Sequence, residues 1–290
     1  MRRPGAPRAR RSPMPSSVAR RSMPAAEPMV ALLGEPAVSQ LATFILQTDV
    51  ERDPSGRGAA ALRAALTSEV RKAAATLLAG CLARREDGAA VAALIGNADP
   101  VVQLGAITGL ANGAVPRAQQ DAVVAALTAV LADAELAVRK EAIWALYLLG
   151  SEGAALDAAV PALERAVEEQ ATQGNAAIAL SLAWNASNDA RAHELAASVS
   201  GVVQLGAAWG AADVRLRRGD LAALKAMFAD DNANVRRGLG AFLYDAKRRG
   251  RDISLAAQAF TELERDHPDD AMLHARIFAV REIVERGPDG

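Results

Sequence analysis

At 290 residues the chain has room for one to three compact domains or one elongated array, and a composition 51% apolar but only 3% aromatic demands a core of Ala, Leu and Val, which favours helix. The lone cysteine, Cys81, excludes an intramolecular disulfide and fits a reducing, cytoplasmic setting, while no apolar run is long enough to span a membrane. The net charge of −1 is unevenly spread: residues 1–26 hold seven arginines and no acid, leaving 26 basic against 34 acidic residues beyond them, a balance that argues against a general nucleic-acid surface.

Residues 1–27 are rich in Arg, Pro and Ser and have little to bury against the entropy of ordering, so a disordered basic arm is expected. Three meanings stand for it. It is a loose arm, or an upstream start with initiation at Met14, Met23 or Met29; it is an organelle transit peptide, though six prolines by Pro28 oppose the amphipathic helix such a peptide needs; or it is a basic arm that touches phosphate or an acidic partner. The apolar segment of a secretory signal is missing from it.

From residue 28 to 286 the chain repeats itself, with 287–290 as a tail. The clearest copy places Val138, Ala142, Ala145, Leu146 and Leu149 at offsets 0, +4, +7, +8 and +11, one apolar stripe at 3.6 residues per turn, with Gly150 expected to close the helix as a C′ glycine. Equivalent anchors are Val38, Val70, Val102, Val138, Thr172, Val203, Val235 and Met272, separated by 31 to 37 residues, and the word Val-Val-Gln-Leu-Gly-Ala occurs at both 101–106 and 202–207. Cys81 falls at +11 from Val70, a small core position. A shorter apolar helix precedes each anchor, as at Ala89–Ile95, Ala122–Leu131, Val160–Val167, Leu221–Phe228 and Leu255–Leu263. Turns such as Asn97-Ala98-Asp99-Pro100 and Asp230-Asp231-Asn232 supply caps between the two. Such a hairpin cannot bury its apolar sides alone, and about eight of them stacked in a row would.

The pattern Asp-x5-Arg, with Val before the Arg and Ala four residues after that Val, resembles the HEAT repeat, particularly the short bacterial form also found in bilin-lyase-type proteins. The likeness implies an all-α fold, an α-solenoid in which antiparallel helical hairpins stack into a curved right-handed superhelix. Asp133 with Arg139 and Asp230 with Arg236 match the family's Asp–Arg ladder, and Asn97 with Gln103 reads as an uncharged version. The unit at Thr172 lacks the Val-Arg pair, and the last unit has His267 and Leu273 in place of the acid and the Arg.

Offsets +2, +6, +9 and +13 lie opposite the apolar stripe. Column +6 reads Phe44, Thr76, Thr108, Trp144, Ile178, Trp209, Ala241 and Phe278, and column +9 adds Tyr147 and Tyr244, so six of the ten aromatic residues occupy positions that a plain amphipathic helix would leave polar. If the second helices line the concave wall, as the HEAT likeness implies, these rings face a groove beside Lys72, Lys140 and Arg237 at +2, and suit a peptide or an amphipathic helix with acidic flanks. The alternative is that tight curvature turns column +6 into a second seam of the core. His193-Glu194 is a lone dyad, short of the several facing dyads of the HEAT-type iron hydroxylase, and His267, Asp269, Asp270 and His274 are explained by a capped turn as well as by a metal. No catalytic nucleophile with a base, no Walker-type loop and no paired-cysteine motif is present, so no cofactor is expected. The expected function is a non-enzymatic scaffold that binds a protein or peptide partner on its concave face. The alternatives are a bilin-lyase-like enzyme subunit and, against the acidic body, a HEAT-like DNA glycosylase.

Overall fold

The computed structural model describes residues 26–288 except 36–38, 54–55, 86, 112–114, 134 and 189; the side chains of Leu41 and Asp133 are also outside the description. The arm at 1–25 and the anchor Val38 therefore lie beyond the described residues. Among the described residues every regular element is helical. The α-helices are α1 (Ala26–Ala31), α2 (Ser39–Arg52), α3 (Arg57–Ala64), α4 (Arg71–Arg84), α5 (Gly88–Ile95), α6 (Pro100–Ala111), α7 (Arg117–Asp133) and α8 (Leu136–Ser151), followed by α9 (Val160–Glu168), α10 (Gln173–Ser187), α11 (Arg191–Ala196), α12 (Gly201–Arg218), α13 (Leu221–Ala229), α14 (Ala233–Arg248), α15 (Ser254–Asp266) and α16 (Ala271–Arg286). No helix among them is long and apolar enough to cross a membrane.

The helices pack against their sequence neighbours in an α-solenoid. The even-numbered helices form one continuous row from α2 to α16, and the odd-numbered ones lie on its other side. Turn chemistry starts them where the sequence says it should. Asp99 Oδ1 accepts the Val101 N–H at 2.8 Å at the head of α6, whose first residue is Pro100, and Asn232 caps α14 through the Asn234 N–H at 2.9 Å. The stripe anchors Val102, Val138 and Val203 are buried to 1, 1 and 3% exposure. Thr172 sits just before α10 instead, its hydroxyl donating to the Ala166 carbonyl at 2.7 Å and tying α10 to the end of α9.

What the stripe pattern does not convey is how close the even-numbered helices come. A Cβ on Gly206 of α12 would stand 2.6 Å from the Gly174 carbonyl oxygen of α10, and one on Gly105 of α6 would press into the Lys72 carbonyl of α4. The word shared by 101–106 and 202–207 is thus the sequence of a backbone-to-backbone helix contact, which only glycine permits. Helix α8 has Glu141 and Ala145 where α6 has Gly105 and Gly109, and it joins the row through side chains.

Three expectations need correction. Gly150 does not end α8: it is buried within the helix, and a Cβ there would stand 2.6 Å from both Leu156 and Leu182. The turn glycine is Gly153, at φ +100°. In the last unit the anchor is Leu273, not Met272; the buried stripe of α16 is Leu273, Ile277, Val280 and Val284, while Met272 is 65% exposed. Asp270 capping the Leu273 N–H at 2.9 Å sets that register. The ladder also runs differently where its side chains are described, which leaves out that of Asp133. Arg139 pairs with Glu169 at 2.9 Å and Arg71 with Asp99 at 2.7 Å, each joining offset +1 of one unit to offset −3 of the next. Two uncharged rungs repeat the rule, with Ser200 donating to Gln173 Oε1 at 3.4 Å and Asn232 donating to Gln204 Oε1 at 3.0 Å. Arg236 meets Asp230 through the main chain, donating to its carbonyl at 2.5 Å and to that of Asp231 at 3.0 Å.

Candidate binding face

Helix α8 carries Trp144 and Tyr147 three residues apart, hence on one face, and α12 carries Trp209 and Asp213 at i, i+4. The four meet. Tyr147 is buried to 1% exposure; its hydroxyl donates to Asp213 Oδ2 at 3.1 Å and accepts from Trp209 Nε1 at 3.0 Å. Trp209 stands edge-on to Trp144, Tyr147 and Phe242, with ring centroids 6.1 to 6.3 Å apart. It packs against both hydrophobic clusters of the chain, the large one running from Ala26 to Val214 and the smaller one from Ala212 to Val284.

Asp213 is fully buried and would be costly if unpaired. Arg251 reaches both of its oxygens, at 3.3 and 2.8 Å, and Arg217 reaches Oδ1 at 3.1 Å. Burial pushes the Tyr147 phenol far above its ordinary range, and the adjacent carboxylate adds to the rise. Burial works against the Arg251 charge, but its bonds to Asp213 outweigh that and its pKa is raised. Next to this network Arg249 lies 5.3 Å from the Trp144 ring centre while pairing with Asp245 at 2.7 Å, and burial raises Glu152 against the opposing charge of Arg249.

Three recesses open along the even-numbered helices. One of about 660 Å³ lies between α2 and α4, lined by Lys72 and Arg84 together with Leu33, Leu77 and the polar Thr43, Gln47 and Thr76. One of about 410 Å³ sits at the C-terminal ends of α6 and α8, where Leu110, Tyr147 and Leu148 meet Arg249 and Arg251. One of about 520 Å³ is walled by Trp209, Tyr244, Arg248 and Arg286. Each holds two cations and one carboxylate, from Glu69, Glu152 and Asp245 respectively. Neither protein-family models nor curated proteins give a match to this chain.

The aromatic columns thus have mixed fates. Trp144, Trp209 and Tyr244 are half-buried, with Tyr244 facing Gly287 and Arg248; Tyr147, Ile178 and Ala241 are buried, as a second seam of core would have it; Phe44 is 68% exposed at one end of the row. Phe278 leaves the column altogether once the last anchor moves to Leu273. Lys72, Lys140 and Arg237 are exposed. Missed in the sequence were Asp213, Arg217, Arg249 and Arg251. The available signal for the first was a carboxylate set between Ala212 and Val214, at the end of the apolar run of α12 that begins at Leu205. Among the described residues no three or more His, Cys, Asp or Glu side chains are grouped to hold a metal ion. His274 Nε2 lies 3.0 Å from the His267 carbonyl, which ties the last turn together.

Proposed function

We propose that this protein is an interaction scaffold of the HEAT-like kind whose even-numbered helices hold an extended acidic segment of a partner protein. The observation that supports this reading is the repetition of one chemistry in three recesses, each lined by two cations, one carboxylate and apolar or aromatic side chains. An acidic side chain of the segment meets the cations while an apolar neighbour packs on the apolar lining, and the roughly 1 kcal/mol available from each exposed charge pair gains specificity by being used three times. Among the described residues Lys72 and Arg248 have no carboxylate partner within ion-pair distance, so they receive a ligand's acids without first breaking a bond. The Asp213 carboxylate is taken up by Tyr147, Arg217 and Arg251; its role is to hold the wall's shape and fix Arg251 in the lining of the central recess.

The test is selection from a random peptide library on the immobilised protein. Enriched peptides carry Asp or Glu spaced along an apolar backbone, and the double variant Lys72→Glu, Arg248→Glu loses them without a change in melting temperature. Enrichment of peptides without acids, or retention by that variant, contradicts the proposal.

A further inference from the structure

Among the described residues four glycines have a positive φ, each just past the end of a helix: Gly153, Gly219, Gly250 and Gly287. At the first three a Cβ would meet nothing within 4 Å, so they serve the backbone conformation alone. Gly287 is different. It is buried, its N–H donates to the Ile283 carbonyl at 2.8 Å to close α16, and at φ +97° it turns the chain back onto α14, where a Cβ would stand 3.2 Å from Cζ of Tyr244. The glycine thus rests against the phenol ring, a seat that any larger residue would strain.

One face of α14 carries Arg237, Ala241, Tyr244 and Arg248, at i, i+4, i+7 and i+11. Pro288 follows Gly287 into the recess walled by Trp209, Ala241, Tyr244 and Arg248, and its carbonyl accepts from Arg237 Nη2 at 3.5 Å. The tail therefore runs along this face from Tyr244 towards Arg237. Residue 289, one peptide unit of about 3.8 Å further on, is an aspartate. Among the described residues Arg237 has no carboxylate at ion-pair distance, whereas Asp245 in the same recess is held by Arg249 at 2.7 Å and Arg286 is paired with Glu282 at 2.9 Å. Pro288 and Asp289 also repeat, in order, the chemistry proposed for the partner's segment, an apolar residue beside an acid. We infer that the tail at 287–289 is a built-in competitor for the third recess: Asp289 latches it to Arg237, and a partner's acidic segment must displace it to enter. The competition rests on the proposed function; the latch rests on the tail's own contacts. Arg237 is exposed, so the latch is weak and tunes affinity rather than blocking the wall.

NMR of the full chain tests the latch, and binding of a library-selected acidic peptide tests the competition. The Gly287 α-protons, set against the Tyr244 ring, are expected upfield of an ordinary glycine. Asp289→Asn and Arg237→Gln each move them towards the ordinary position, and the double variant adds nothing further. Asp289→Asn also binds the peptide about two- to fivefold more tightly at an unchanged melting temperature, because an exposed ion pair no longer holds the tail in place. Gly287 protons that ignore Asp289→Asn overturn the latch. Equal or weaker peptide binding by that variant overturns the competition, whatever the protons show. A library that yields no acidic peptide refutes the proposed function and the competition with it, while the proton shifts still decide the latch.

Discussion

Tyr147 and Asp213 lie 66 residues apart, on α8 and α12, and their side chains meet at 3.1 Å although a whole helix, α10, stands between those two in the row. The contact fastens α8, which has Glu141 and Ala145 where α6 has Gly105 and Gly109, to the glycine-packed set α10, α12 and α14. It also joins Trp209, which touches both hydrophobic clusters, to the same point.

Asp213→Ala leaves Tyr147, Arg217 and Arg251 without their common acceptor. The expected cost is about 2 to 3 kcal/mol, below the figure for a fully buried pair because Arg217 and Arg251 keep contact with water, against about 1 kcal/mol for Tyr147→Phe, which removes the hydroxyl's bonds to Asp213 and Trp209. Urea unfolding of the two variants checks the order.

Because the folded-state pKa of Tyr147 is raised above its unfolded value, the phenol contributes stability that is complete below pH of about 10 and is lost as pH climbs beyond it. A titration followed by ultraviolet absorbance should show one of the two tyrosines ionising only as the helical signal collapses. Two tyrosines titrating together in the folded chain would remove this reading.

Gly105→Ala and Gly206→Ala each push a Cβ into the backbone of the preceding even-numbered helix. Each should lose about 1 to 3 kcal/mol, despite the better helix propensity of Ala, because two backbones must separate. Gly96→Ala is the control: its Cβ would meet the nearest atom, the Ala92 carbonyl oxygen, at 3.5 Å, an ordinary contact.

Gln204 holds three groups at once, accepting from Asn232 and Asn234 and donating to the Ser198 carbonyl at 2.7 Å. Gln204→Ala is expected to cost about 1 to 2 kcal/mol, whereas Arg139→Ala, which loses a half-exposed ion pair with Glu169, costs about 0.5 kcal/mol. Chemical denaturation of both variants separates an amide rung from a charged one.

The repeat was legible because it is periodic. Val102, Val138 and Val203 are core for the reason their spacing gives, and the short helix read at Leu221–Phe228 occupies Leu221–Ala229. The ladder was legible in part: an acid from a turn does meet Arg139, but it is Glu169, from the turn between the two helices of the following unit, while the Asp133 side chain lies outside the described residues. Met272 was read as an anchor because Met is apolar; the cap at Asp270 fixes the helix one residue later. The Asp213 network left no periodic trace, since its members come from α8, α12 and the turn after α14 and occur once each. The same is true of the recesses, whose walls come from the ends of helices far apart in the chain.

Hydrogen–deuterium exchange of the protein with and without a library-selected acidic peptide bears most directly on the binding wall. Slower exchange is expected in α4, around Tyr147 to Glu152, and in the stretch from Tyr244 to Arg251, with α5, α7 and α13 unaffected. Protection confined to the odd-numbered helices, or no protection at saturating peptide, would contradict the account.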